Sequence, residues 1–235
     1  ITSNKFSSFA HLKQFPLIGG EKAIKEPRRV ALALLYEVLG EGIFNSQLTC
    51  IQSFTKQELK ILKQMLKNKI NAPLTSSVGR LFDGVASILA IEQKCSFEAQ
   101  AAIKMENLAS KIDNKESYKF IICKNVAPII IDWKELIINI LLDLSNLTDI
   151  KLISAKFHNA LVNMLVEVAK LVGEKQVVLS GGCFQNRYLL EKSVLALQQS
   201  GFSVYWQQKL PSNDGAIAIG QIMAANRVQK VANKD

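Results

Sequence analysis

The stretch Gln176-Val177-Val178-Leu179-Ser180-Gly181-Gly182 constrains the fold of this chain more than any other. A short β-branched apolar run reads as a strand, and two glycines follow it directly, ahead of an amphipathic helical pattern over residues 186–199. Phe202-Ser203-Val204-Tyr205 reads as a second strand, and a last helix is expected from about 215 to 227. Strand, glycine turn, helix, strand, loop, helix is the succession of a parallel or mixed α/β layer.

A glycine turn at the start of a helix leaves backbone N–H groups free where the helix dipole favours an anion, and the phosphate of a nucleotide is the natural ligand. Side chains at Gly181 or Gly182 would hold a phosphate away from those amides and restrict positive torsions, while Asn186 adds a donor and an acceptor. Two glycines after a strand also make an ordinary tight turn, so the stretch alone leaves both readings open. The loop Leu210-Pro211-Ser212-Asn213-Asp214-Gly215 opens the last helix. Asp214 there is either one of several Asx-type helix caps or, at the carboxyl end of a strand region, an oxygen ligand for a metal or metal-bound phosphate. A third stretch, Ser76-Ser77-Val78-Gly79-Arg80-Leu81-Phe82-Asp83, begins another helix, with Arg80 and Asp83 one turn apart and able to form a salt bridge.

The first half is helical. Pro27 suits the first turn of a helix that Gly40 ends, and lysines alternate with apolar residues over 55–69, giving an amphipathic surface helix stopped at Asn71-Ala72-Pro73. Helices are expected over 79–91 and over 97–111, the latter capped by Ser96, then two short strands at 118–123 and 128–131, and long helices at 133–144 and 150–172 closed by Gly173.

With 235 residues, 49% of them hydrophobic, the chain can bury a sizeable core without staples. Its four cysteines, Cys50, Cys95, Cys123 and Cys183, form no Cys-x-x-Cys pair, which argues against a zinc knuckle and a disulfide framework and for a reduced, cytoplasmic setting. The most apolar segment, residues 133–147, carries Lys134, Glu135, Asn139 and Asp143 and falls short of the roughly 18 apolar residues of a membrane span. The first residues have neither the layout of a signal peptide nor an initiator Met, as expected of a piece of a longer protein. The formal charge of +9 comes from scattered lysines, so a solvated lysine face is preferred to nucleic-acid binding.

Taken together, the motifs resemble the carbamoyltransferase (HypF) family of nickel-iron hydrogenase maturation. The resemblance rests on His11 to Leu17 with Gly19-Gly20 and Glu26-Pro27, on Ser76 to Asp83, Ser96 to Ala102, Phe157-His158-Asn159, Leu179 to Asn186, and Leu210 to Gln221. It implies an actin-like ATPase (ribonuclease H-like) α/β lobe with a helix-rich insertion, the first lobe lying largely outside this chain. On that basis residues 1–24 are expected to be an irregular remnant of the first lobe, 25–115 a helical subdomain, and 116–235 the α/β nucleotide-binding lobe. By resemblance Gly181, Gly182 and Asn186 bind nucleotide, Gly79, Arg80 and Asp83 form a helix start that faces ribose, and Asp214 ligates a divalent metal, zinc, iron or magnesium. The two histidines that complete such a metal site are absent, since the only two here, His11 and His158, are far apart in sequence. His158 is expected to be a structural, hydrogen-bonded residue. Three positions depart from the family pattern: Cys183, read as inert packing, Ala99 where glycine is common, and Ala216 where a second glycine is frequent.

The resemblance further implies a reaction of carbamoyl phosphate and ATP that forms carbamoyl adenylate, with transfer of the carbamoyl group to the C-terminal cysteine of a partner protein (HypE-like). No membrane is involved. The alternatives are a transferase of the tRNA threonylcarbamoyladenosine type and a non-catalytic nucleotide-binding scaffold, and the chain alone is expected to be inactive.

Overall fold

The structure, a computed structural model, describes residues 7–232, with side chains as far as Asn226. The helices are α1 (Glu21–Lys25), α2 (Pro27–Leu39), α3 (Thr49–Gln52), α4 (Lys56–Asn68), α5 (Val78–Ile88), α6 (Gln100–Ala109), α7 (Lys134–Ser145), α8 (Ile150–Val172), α9 (Arg187–Gln199) and α10 (Ile217–Ala232). The strands are β1 (Ala10–Leu12), β2 (Phe15–Pro16), β3 (Leu74–Thr75), β4 (Ile121–Cys123), β5 (Ile129–Asp132), β6 (Gln176–Leu179) and β7 (Ser203–Trp206). Short 3-10 turns occupy Gly40–Asn45, Gly182–Gln185 and Asp214–Ala216.

Local chemistry sets most of these limits. Pro27 stands at the first turn of α2, and Gly40, at φ 64°, ends it. Thr55 and Glu58 make a reciprocal capping box at the start of α4, which closes on Lys69 in a left-handed conformation rather than at Pro73. Asp149 caps α8 and Gly173, at φ 78°, stops it, so the longest helix coincides with its apolar pattern. Helix α6 differs from expectation: it begins at Gln100 because Ala99 adopts a left-handed torsion, φ 61°. Ser96 does not cap it; instead the Gln100 side chain accepts from the Ser96 N–H at 2.7 Å.

The strands form separate small sheets and no continuous layer. β1 runs parallel to β5, and β4 pairs antiparallel with β5 on its other side. β2 and β3 pair antiparallel. β6 and β7, joined through α9, pair in parallel from Gln176 opposite Ser203 to Leu179 opposite Trp206. The mixed α/β character and the parallel pair are therefore as the pattern suggests, with helix dominant.

One hydrophobic cluster runs from Leu12 and Phe15 through α2, α5, Trp133 and α8 to Leu189, so the segment before residue 25, the helical stretch and the α/β stretch share a core. Trp133 is fully buried, packs edge-on to Phe15 at 5.7 Å between ring centroids, and donates from Nε1 to the Lys13 carbonyl at 2.7 Å. That bond and the β1–β5 pairing fix the first described residues in place. A smaller cluster of Val166, Ala169, Leu179 and Leu197 lies under the parallel pair. Helices α2 and α5 pack tightly at Gly84, where an added Cβ would run into Leu34 and stand 3.1 Å from Val30 Cγ1. Among the described residues no helix is long and apolar enough to cross a membrane.

Candidate functional site

Three short helical starts meet over one cleft of about 620 Å³: the beginning of α5, the turn at Gly182–Gln185, and the turn at Asp214–Ala216. Of the residues singled out by sequence, Gly79, Arg80, Asp83, Gly182, Asn186 and Asp214 line it, whereas Gly181 lines an apolar cavity on the other side of the turn.

The glycine turn is tied to the Asp214 loop by backbone, Gly181 N–H donating to the Ser212 carbonyl at 2.8 Å. Gly181 sits at φ 108°, ψ 156°, a torsion pair that only glycine adopts without strain. Gly182 has no positive φ, and a Cβ there would make an ordinary contact with Asn213 Cβ at 3.9 Å, so neither torsion nor crowding requires glycine at that position. Gly181 and Cys183 carbonyls accept from Phe184 and Asn186 N–H, closing the turn on itself. Among the described residues no acceptor takes the N–H of Gly182 or Cys183, and both residues line the cleft.

Asn186 caps α9 through Oδ1, which accepts from the Leu189 N–H at 2.8 Å, and its amide nitrogen lies 3.0 Å from His158 Nε2. His158 Nδ1 is 2.7 Å from the Ser154 carbonyl, which can only accept, so Nδ1 carries the proton and Nε2 accepts from Asn186. The ring is fully buried, edge-on to Phe82, Phe157 and Tyr188, and burial lowers its pKa to about 4. His158 is thus neutral and structural. It also turns the Asn186 amide inward, so Asn186 shapes the cleft with both ends of its side chain already engaged.

Asp83 is only 3% exposed. Burial raises its pKa to about 6, and the Arg80 guanidinium offsets part of that cost. Arg80 Nη1 lies 2.8 Å from Asp83 Oδ2, but outside hydrogen-bond alignment, which leaves Oδ2 a buried acceptor without a hydrogen bond. The i, i+3 salt bridge expected from sequence is therefore present as a close ion pair. Asn213, rather than Asp214, caps the last turn: its Oδ1 accepts from the Gly215 N–H at 3.1 Å. The Asp214 carboxylate is exposed on the cleft with no partner among the described residues. No three His, Cys, Asp or Glu side chains of the described residues gather as a metal site, so Asp214 alone does not hold a divalent ion.

All four cysteines are free. Burial pushes the Cys183 thiol up, and its sulfur lies beside Gly79 at the start of α5. That arrangement suits packing and not nucleophilic attack. Glu98 and Glu106 also line the cleft and were not singled out by sequence. The signal for Glu106 was its position on α6, since Ala99, Ala102, Ile103 and Glu106 recur at helical spacing along one face and all border the cleft.

Comparison with known proteins assigns a family to this helix-dominated α/β chain, whose glycine turn and Asn-Asp-Gly loop share one cleft. The chain belongs to the family described as "Carbamoyltransferase, Kae1-like Domain, second subdomain", whose profile matches residues 1–221. It is similar to "Carbamoyltransferase HypF" of Synechocystis, with 39% identity over 236 residues, covering 95% of this chain and 30% of that protein. Among solved structures it is similar to full-length HypF in a phosphate- and nucleotide-bound form, with TM-score 0.86, 38% identity, and coverage of 94% of this chain and 29% of that one. HypF of T. kodakarensis is similar at TM-score 0.78 and 26% identity, over 94% of this chain and 30% of that one. The chain spans about 30% of the length of the Synechocystis relative.

Proposed function

We propose that this chain is the nucleotide-facing part of a hydrogenase-maturation carbamoyltransferase with an actin-like ATPase fold, working on carbamoyl adenylate made from carbamoyl phosphate and ATP. The observation that carries the reading is the Gly181–Ser212 backbone bond, which sets the glycine turn and Asp214 on the same cleft. A similar full-length HypF has been solved with phosphate and nucleotide bound.

In this reading the free Gly182 and Cys183 N–H groups donate to the adenylate phosphate, as amides at a helical start do for anions. The Asp83 carboxylate borders the cleft on the side where the ribose hydroxyls would lie, its Oδ2 held against the Arg80 guanidinium. The thiolate of a partner's C-terminal cysteine, HypE-like, attacks the carbamoyl carbon; the new C–S bond forms as the C–O bond to phosphate breaks, and AMP leaves with the electron pair. Cys183, buried with its thiol pKa raised, does not compete as nucleophile. Asp214 supplies one oxygen toward a divalent cation whose remaining ligands come from outside the described residues, and the cation would offset phosphate charge.

The test is Asp214→Ala in a protein that joins this chain to its adenylate-forming domain, followed by mass spectrometry of a cysteine-terminated acceptor. Transfer is expected to fall by roughly 100-fold or more, the scale of losing one electrostatic stabiliser, while adenylate formation continues. Unchanged transfer removes Asp214 from the site. Transfer from threonylcarbamoyl adenylate in preference to the carbamoyl compound would instead assign the chain to tRNA modification.

A further inference from the structure

Glu106 takes no part in the reading above, yet it reaches from α6 to the start of α9. Its Oε1 accepts the Arg187 N–H at 2.8 Å and lies 3.4 Å from the Tyr188 nitrogen, while Asn186 Oδ1 takes the Leu189 N–H. The first N–H groups of α9, where a helix offers its strongest anion site, are therefore filled by acceptors of the chain itself. Among the described residues only the Gly182 and Cys183 amides of this turn remain for an outside anion. Around them the cleft carries the carboxylates of Asp83, Glu98, Glu106 and Asp214 against one guanidinium, Arg80, which is already paired with Asp83.

We propose that Glu106 sets the charge selectivity of the cleft. By filling the start of α9 with a fixed negative charge it leaves room for a single phosphate group, as in a mononucleotide or an acyl adenylate, and disfavours a nucleoside triphosphate. The proposal rests on the nucleotide reading above and adds which nucleotide class the site accepts. The neutral side chain of glutamine keeps an oxygen for the Arg187 N–H, so Glu106→Gln removes the charge while preserving the cap. Glu98 borders the same cleft, is exposed, and accepts no helix N–H among the described residues, which makes Glu98→Gln the control for charge without placement.

The experiment is calorimetric titration of the chain and both variants with AMP and with ATP, at low ionic strength in EDTA, with circular dichroism melts to verify folding. In E106Q the ratio of ATP to AMP dissociation constants is expected to fall by roughly fivefold, the scale of one charge acting on the two additional charges of ATP across a solvated cleft. The change should shrink in high salt, and E98Q should move the ratio less. Equal shifts for both nucleotides in E106Q, or the same ratio change in E98Q, overturns the role of Glu106. If neither AMP nor ATP binds to the chain or to E106Q, in EDTA or with magnesium restored, the nucleotide reading itself fails and the selectivity with it.

Discussion

Asp83 and His158 are buried titratable groups whose displaced pKa values act on stability in opposite directions. Asp83, raised to about 6 by burial, holds its proton more tightly in the folded chain than in the unfolded one, so its contribution is present at low pH and is lost as pH climbs toward 6. His158, lowered to about 4, resists protonation in the fold, so its contribution is present above about 6.5 and is lost as pH falls through 4. Each amounts to about 3 kcal/mol at roughly 1.4 kcal/mol per pKa unit, and between pH 4 and 6 they nearly cancel. Urea unfolding at pH 4.5 and 6.5 should find the native chain nearly flat, Asp83→Asn more stable at the higher pH, and His158→Gln more stable at the lower. The carboxylates of Glu26 and Asp143 are held below their ordinary range, burial being outweighed by hydrogen bonds from Arg29 and Arg28 in the one case and from Lys156 and Tyr118 in the other, and they contribute the same background to all three proteins. A parallel slope in all three would contradict the pairing. Ala99 offers a second residue-level test. It holds φ 61° with a side chain that disfavours it, so Ala99→Gly should stabilise the chain by roughly 0.5–1 kcal/mol in thermal melts, the relief of left-handed strain less the entropy of an added glycine. Sequence identified the cleft at this scale through Gly79, Arg80, Asp83, Gly182, Asn186 and Asp214. It did not show that Asn186 is held by His158 or that Gly181 faces away, because both depend on partners 28 or more residues distant or on the far side of the turn.

At the level of elements, the helices read most clearly were those with matching ends. α8 carries Asp149 before and Gly173 after a continuous apolar pattern, and its limits match expectation. α6 was misjudged by several residues because an alanine in a left-handed torsion leaves no compositional mark. The short strand β3 and the small helices α1 and α3 were missed altogether; segments of a few residues carry no measurable period, and long-range pairing creates strands of this length. α5 matters most for function, since it brings Gly79, Arg80 and Asp83 to the cleft and packs Gly84 against α2. Gly84→Ala should destabilise the chain by about 1–3 kcal/mol through overpacking against Leu34 and Val30, read as a lower urea midpoint with unchanged slope. Because Asp83 is the adjacent residue, the same change should also weaken nucleotide binding, and wild-type stability would show that α2 yields more than its packing implies.

Over the whole molecule, the α/β class and the parallel pair were legible, whereas the separation into small sheets was not. Strand order depends on which distant strand each edge finds, and β1 found β5 across more than a hundred residues of chain. The shared core from Leu12 to Leu189 has the same origin: no local pattern announces that the opening residues pack with Trp133. The Gly181–Ser212 bond joins main chain to main chain. Exchanging the Ser212 side chain therefore leaves it intact, and the meeting of the two loops above the cleft is written into the backbone, where single side-chain changes in either loop do not reach it.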